Sequence, residues 1–431
     1  SFPIRSIDVS SSPRPWPQWG LIWLVFLASW WLIQTVSSEA PWNQRRERLK
    51  PLSAKPINPV ILDLDTTIHK DEVLDEASWS FLDSLDSVPT SPLVGQTAAW
   101  FGLRRLFLRL PKAGQKAVEI YHWGDSQIEG DRISGELRKS WQARWGGRGP
   151  GWTIPVMPAP HGHVRASSSG ELLRQTGFGR RRDTTALKLP FLAVNRIPTQ
   201  ATWRVEATRT ENPPAGWTLQ EIWPLTPPVR VNEHDVAKTE DTLAFAKDTL
   251  RGVFLGSPKG IMVHNLPMRG ASGTTLNRLA RAEWDWLAAT HPPAMVLLQF
   301  GGNAVPGMTQ PKQARWYAQN MGRLVRNIRE HFPSAVVVFV GPSDMGLRPQ
   351  DYPGLPWVIE ALVKEIPEAG GLFWDLQSAM GGPGSMADWH AKGWASSDHI
   401  HFSKRGAREA ARRFEQALWL AWRDMRKSTS H

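Results

Sequence analysis

Four short stretches of the chain carry side chains that could together attack a carbonyl. They are "GDSQIEGD" with Ser126, "PMRGASGTT" with Gly273, "GGNAV" with Asn303, and "SSDHIHFSKRG" with Asp398 and His401. A serine hydroxyl is a weak nucleophile until a base removes its proton in the transition state. His401 is the candidate base, and Asp398, three residues before it, would fix the imidazole tautomer and stabilise the imidazolium that forms. In a helical loop those two would share a face. His399 cannot easily share the role, because neighbouring positions in a short loop point apart. Each stretch alone is weak, since a Gly-Asp-Ser is as readily a turn with a helix cap.

The elements that would position these residues are legible from Ala117 onward. "AVEIYHW", "GIMVHNL", "AMVLLQF", "AVVVFVG" and "GLFWDL" read as five strands alternating with helical patterns. Between the third and fourth, Ala314, Tyr317, Met321, Leu324 and Ile328 recur at three and four residues and mark one apolar helix face. The alternation predicts an α/β fold, a parallel sheet covered by helices on both sides. In such a sheet ligands bind beyond the carboxyl ends of the strands. The four stretches follow the first three strands and fill the last loop before the C-terminal helix, so they meet on one rim. Residues 151–259 break this rhythm with many prolines and with "TWRVEAT", in which Trp203, Val205 and Ala207 share a face. That interval predicts a β-rich inserted domain.

The ordered blocks resemble the SGNH (GDSL-type) hydrolase superfamily, over about residues 117–145 and 260–418. The resemblance implies a three-layer α/β/α domain made of residues 111–150 and 260–431. It also implies an oxyanion hole formed by the backbone N–H of Ser126, that of Gly273 and the side-chain amide of Asn303. Physically, Gly273 permits the tight turn that brings an N–H close, and Asn303 offers a donor that is neutral at every relevant pH. Removing one such donor costs about two to three orders of magnitude in rate. The wider contexts "GDSQIEGDRISGELR" and "GGPGSMADWH" are similar to a subgroup of bacterial cell-surface members, some of which act beside membrane-bound O-acyltransferases on polysaccharides. Asp344 in "GPSDMG" follows a strand on the same edge and is a candidate substrate contact, with a helix cap after Ser343 as the alternative.

No cofactor and no metal is implied by a Ser/His/Asp mechanism. His161 and His163 have no evident third ligand and read as a loop, while "GGRGPG" lacks the Lys-Ser/Thr of a phosphate loop and reads as the hinge into the insertion. The absence of cysteine excludes disulfides and thiolate metal sites. A formal net charge of +11 fits an anionic neighbour, but the basic residues are scattered and no nucleic-acid motif accompanies them, so no nucleic acid partner is expected.

Residues 1–15 read as a tail. Residues 16–37 contain the uncharged "WGLIWLVFLASWWLIQTV", with Trp16, Trp19, Trp30, Trp31 and Trp42 clustered at its ends. This predicts an N-terminal transmembrane helix with an interfacial aromatic belt. Residues 38–110 read as a linker with short helical segments. Within it "PVILDLDTT" places Asp63 and Asp65 as a haloacid-dehalogenase-type phosphatase would, but without the downstream Lys and acidic pair, and it reads as chance. Arg45, Arg46, Arg48 and Lys50 follow the apolar span and count against export of the C-terminal bulk. The expected function alone places the chain in the inner membrane as a single-pass protein with its catalytic domain facing the periplasm.

These readings converge on an enzyme that forms an acyl-Ser126 intermediate on a cell-surface polysaccharide. Water would resolve it in an O-acetylesterase, and a sugar hydroxyl in an O-acetyltransferase. The acetyl group comes from the resemblance only. The anchor favours transfer from a membrane-bound O-acyltransferase, and the 24 tryptophans favour an insertion that holds glycan. The alternative is a non-catalytic SGNH-fold subunit of a membrane assembly, against which the complete five-residue set argues. A lipase or thioesterase fits the anchor and the polar insertion less well.

Overall fold

In the computed structural model, which describes residues 89–208, 216–225 and 230–428, all five apolar runs after Ala117 are strands. The expected tail, the transmembrane segment, Asp63 and Asp65 lie outside the described residues. Among the described residues no helix is long and apolar enough to cross a membrane.

The chain begins with β1 (Leu93–Gly95), α1 (Thr97–Arg109), β2 (Val118–Gly124) and α2 (Ser134–Trp145). A β-rich stretch follows: β3 (Gly151–Thr153), β4 (Val164–Gly170), β5 (Leu173–Thr176), β6 (Ala193–Ile197), β7 (Ala201–Ala207), β8 (Trp217–Pro224), β9 (Arg230–Lys238), β10 (Glu240–Phe245) and β11 (Asp248–Gly256). The α/β rhythm then resumes with β12 (Ile261–Pro267), α3 (Arg281–Thr290), β13 (Met295–Gln299), α4 (Pro311–His331), β14 (Val336–Val340), α5 (Leu355–Glu368) and β15 (Leu372–Trp374). It closes with α6 (Leu376–Met380), α7 (Ser385–Ala391) and α8 (Lys404–Ser428).

The main sheet has the order β1-β15-β14-β13-β2-β12, parallel throughout except for β1, which pairs antiparallel with β15. Its strands are apolar on both faces because both are covered. Successive side chains of β13 alternate, so Val296 and Leu298 face α3, α4 and α5, while Met295 and Leu297 face α1, α2 and α8. Ala314, Tyr317, Met321, Leu324 and Ile328 of α4 are all buried, which is the face that the period of the sequence marked.

Residues 93–110, expected as the end of a linker with short helical segments, do hold such a helix, packed onto the sheet domain. β1 closes an edge of the main sheet, and α1 buries Ala99, Leu103, Leu106 and Phe107. The Phe107 ring lies 5.0 Å from Trp419 and 4.8 Å from Trp422 of α8. These apolar positions recur at three and four residues, a pattern that the average composition of residues 38–110 conceals.

The β-rich stretch forms two sheets, β10-β7-β4 and β5-β6-β11-β8-β9, with β3 added to β11. Trp203, Val205 and Ala207 share the buried face read from the sequence, packed with Trp217, Leu243 and Val253. The tryptophans of this region therefore fill its core and its junction with the sheet domain instead of offering faces to sugars. Trp152 meets Trp223 and Trp286 with ring centroids 5.9 Å apart in each case. Among the described residues the large exposed aromatic is Trp316, at 62% exposure, and it belongs to α4.

A buried ionic clasp joins the two parts. His264 Nε2 lies 2.5 Å from Glu119, and His291 lies 3.5 Å from Glu119 and 2.7 Å from Glu221 of β8. The Trp152 backbone N–H donates to His264 Nδ1 at 3.2 Å, so His264 carries its hydrogen on Nε2 and is neutral. Burial works against charge on His291, but the two carboxylates overcome it and push its pKa up to about 9. That raised value means the clasp is complete at neutral pH and opens as pH rises through about 9.

Candidate active site

Ser126 lies just past the carboxyl end of β2, in the turn that leads to α2. His401 and Asp398 come from the loop between α7 and α8. Ser126 Oγ is 2.7 Å from His401 Nε2, and His401 Nδ1 is 2.6 Å from Asp398 Oδ2. The other carboxylate oxygen, Oδ1, accepts the backbone N–H groups of Ile400 and His401, each at 2.9 Å. Nδ1–H is thereby committed to Asp398, and Nε2 is left to accept the serine proton. Partial burial raises the Asp398 pKa, but these hydrogen bonds outweigh it and hold the carboxyl at about 2. The Asp–His bond is therefore fully formed above the ordinary carboxylate range and is lost only as pH falls through about 2.

The loop that presents His401 is an unusual path, with His399 at φ +53°. Several of its backbone groups are nonetheless paired, as a stable loop requires. His399 C=O accepts from Gly346 N–H, and His401 C=O accepts from Ser396 N–H at 2.8 Å. Two side chains that the sequence reading did not single out tie this loop to the nucleophile. Gln127 donates to Ile400 C=O at 2.6 Å and accepts from Phe402 N–H at 3.2 Å, so it grips the main chain on both sides of His401. Arg132 donates to Phe402 C=O at 2.8 Å and to Ser126 C=O at 2.5 Å.

Asp398 and His401 share a loop, and Gln127 holds that loop to Ser126. Gln127→Met keeps the volume but removes both of these bonds and a third, to Ser343 Oγ at 3.1 Å, so the His–Asp pair should shift as a unit relative to Ser126. We expect kcat to fall about tenfold to a hundredfold with KM within about twofold, since small misplacements of a catalytic group cost that much. The low-field NMR resonance of the His401–Asp398 proton should persist. Its disappearance would show that Gln127 supports the pair itself and not its register.

The oxyanion candidates are assembled on the same rim. Gly273 opens a short helical turn at φ +87°, where a Cβ would stand 2.8 Å from the Phe300 ring, so the position demands glycine. Tyr317 of α4 supports that turn by donating to Ser272 C=O at 2.9 Å. Asn303 reaches it as well, through Nδ2 to Ala271 C=O at 3.3 Å. Asn303, Ser126 and His401 line one cleft of about 150 Å³ with an apolar wall of Phe300, Pro306 and Met345; Gly273 is not among the lining residues but packs against Phe300. Asp125 also faces the cleft, its carboxyl pushed up to about 6 by burial against the opposing pull of Gln127 N–H, His401 and Asn303.

Asp344 is not a substrate contact. It is buried, accepts from Gln377 Nε2 at 2.7 Å, and accepts from Met386 N–H at 2.9 Å in the first turn of α7. Its neighbours Ser343 and Met345 face the cleft, so the alternation of the chain turns Asp344 away. The helix-cap alternative is nearer, although the helix it caps is remote in sequence.

His161 and His163 do find a carboxylate, that of Asp131. His163 Nδ1 lies 2.5 Å from Asp131 Oδ2, whereas two atoms sharing a zinc ion stand roughly 3 Å or more apart. Arg138 already takes both Asp131 oxygens, at 2.5 and 3.0 Å. Burial would raise the Asp131 carboxyl, but Arg138 and the two histidines hold it well below the usual range. The cluster fits a hydrogen-bonded anchor for the turn after Ser126, where Asp131 itself adopts φ +64°.

Residues 246–409 match the family model of the GDSL-like lipase/acylhydrolase family. The match begins after most of the insertion, which separates Ser126 from the other blocks. A solved structure of a peptidoglycan O-acetylesterase is similar over 79% of this chain and 99% of that chain, at 22% identity with a TM-score of 0.62. Further similar structures are a GDSL-like lipase from Parabacteroides merdae (17% identity, 37% and 74% coverage, TM-score 0.30) and a lipase/acylhydrolase from Enterococcus faecalis (22%, 38% and 76%, 0.26). No curated protein matches in sequence.

Proposed function

We propose that this SGNH-type serine esterase removes O-acetyl groups from a cell-envelope glycan through an acetyl-Ser126 intermediate. The carrying observation is the continuous Ser126–His401–Asp398 relay, with links of 2.7 and 2.6 Å, opening on a cleft. His401 Nε2 takes the Ser126 proton as Oγ attacks the acetyl carbonyl. The C–O bond to the sugar then breaks, and the same proton passes to the departing sugar oxygen. Water repeats the sequence in reverse: it gives a proton to His401, attacks the acyl carbon and releases acetate, while Ser126 regains its hydrogen.

The short acyl group is supported by the cleft, which is about as large as a cavity that holds benzene. Hydrolysis over transfer is supported by the access of solvent to the relay, since the His401 and Asp398 side chains are 32% and 47% exposed. The glycan is supported by the likeness to the peptidoglycan O-acetylesterase structure, which spans most of the present chain. Anchoring through residues 16–37 would hold the site in the periplasm beside such a polymer.

The test uses the full chain, O-acetylated peptidoglycan fragments and unacetylated acceptor oligosaccharides, with acetate and acetylated acceptor both followed by mass spectrometry. Acetate should accumulate faster than acetylated acceptor. The reverse order would make the protein a transferase. Turnover of 4-nitrophenyl acetate with none of the glycan would remove the substrate from the proposal.

A further inference from the structure

Behind the cleft runs a chain of buried hydrogen bonds that has only one consistent direction. Asn265 Nδ2 donates to Ile128 C=O at 2.8 Å and to Ser134 Oγ at 2.9 Å. A carbonyl can only accept, so the NH2 end of Asn265 is fixed towards both. Ser134 receives that bond and is fully buried, and among the described residues His122 Nδ1, 2.9 Å away, is the acceptor its own proton reaches. His122 must then carry its hydrogen on Nε2, in keeping with burial, which lowers its pKa to about 4 and leaves the ring neutral. Nε2–H donates to Gln299 Oε1 at 3.1 Å. The oxygen of Gln299 is thereby turned inward and its NH2 outward.

Gln299 ends β13 beside the nucleophile, its C=O accepting from Asp125 N–H at 3.2 Å. Gln299 lines the cleft with Ser126, Asn303 and His401, and among the described residues no acceptor takes its NH2. We propose that the Gln299 side-chain amide is a substrate-binding donor that takes an uncharged oxygen of the bound ester. The relay of Asn265, Ser134 and His122 explains how an amide with two similar ends is kept in one orientation. Turning it over would set its NH2 against His122 Nε2–H in a buried place. Gln299 contacts substrate directly, and Ser134 and His122 act as positioning residues through it.

The inference rests on the esterase site and not on the glycan, so 4-nitrophenyl acetate is the probe and failure of the glycan reading leaves the test intact. Gln299→Met should lower kcat/KM about tenfold to a hundredfold, less than the loss of a donor that serves the oxyanion alone. Gln299→Glu keeps the acceptor for His122 but replaces the NH2 with a second acceptor, and should lose as much. Ser134→Ala removes the proton that sets the His122 tautomer. It should cost about threefold to tenfold in the wild-type background and nothing further in Gln299→Met, the coupling expected of one connected unit. Melting temperatures would be recorded for all four variants. Activity of both Gln299 variants within about twofold of wild type would overturn the proposal. So would a Ser134→Ala loss of equal size in both backgrounds.

Discussion

Ser126→Ala is expected to lower kcat for 4-nitrophenyl acetate by about 10⁴- to 10⁶-fold, the range seen when a serine nucleophile is removed from a complete triad. No acetylated protein should then be detectable by mass spectrometry. The substitution is clean in this fold. Among the described residues the Ser126 side chain bonds to His401 alone, whereas the contact that holds the turn uses its backbone carbonyl, gripped by Arg132. The melting temperature should therefore stay close to that of the wild type. Residual activity above about 1% of wild type would mean that water or another side chain attacks the ester directly, and the covalent route would have to be abandoned.

Asp398→Asn should cost about 10⁴-fold in kcat, as the wrong-tautomer substitution does in such triads. The reason lies in how the carboxylate is used. One oxygen accepts from His401 Nδ1–H and the other from the Ile400 and His401 N–H groups, so both heads must be acceptors. Asparagine has one. Placing its oxygen on the two backbone donors turns its NH2 to Nδ1, which forces the hydrogen onto Nε2 and blocks proton uptake from Ser126. The opposite rotamer sets the NH2 against two N–H groups and loosens the loop. The rate of Ser126 phosphonylation by an active-site-directed fluorophosphonate reports the same defect before any acyl chemistry. Phosphonylation at the wild-type rate would show that Asp398 does not govern the tautomer.

Much of this site can be read from the sequence because its parts are local. Ser126, Gly273 and Asn303 each follow a run of buried apolar residues, and such runs announce parallel strands and hence the rim on which loops meet. Asp398 and His401 lie within one loop. What escapes is what depends on long-range geometry. Gln127 sits beside Ser126, yet its partners are the main chain at Ile400 and Phe402, and no periodicity encodes a side chain bonded to a distant peptide. Gln299 reads as one more position in an apolar strand, and its orientation comes from Asn265, Ser134 and His122 on other elements. Asp344 fails in the opposite way, because a plausible position on the rim says nothing about which side of the loop the carboxylate leaves. The tryptophan count misled for a similar reason, since composition does not distinguish a ring in a core from one on a surface.

The place of β2 in the sheet sets the order in which this enzyme can come into being. β2 lies between β12 and β13, both of which follow the insertion in the chain. The segment that carries Ser126 thus leaves the ribosome with neither neighbour to pair with, and Gln127 waits longer still for Ile400 and Phe402. At about 5–20 residues per second that delay is roughly 15–55 s. The strands of the insertion pair among themselves and can do so during it. A nascent protein of this kind has a nucleophile for most of its synthesis and no base, and it gains the power to cut esters only with its last helix.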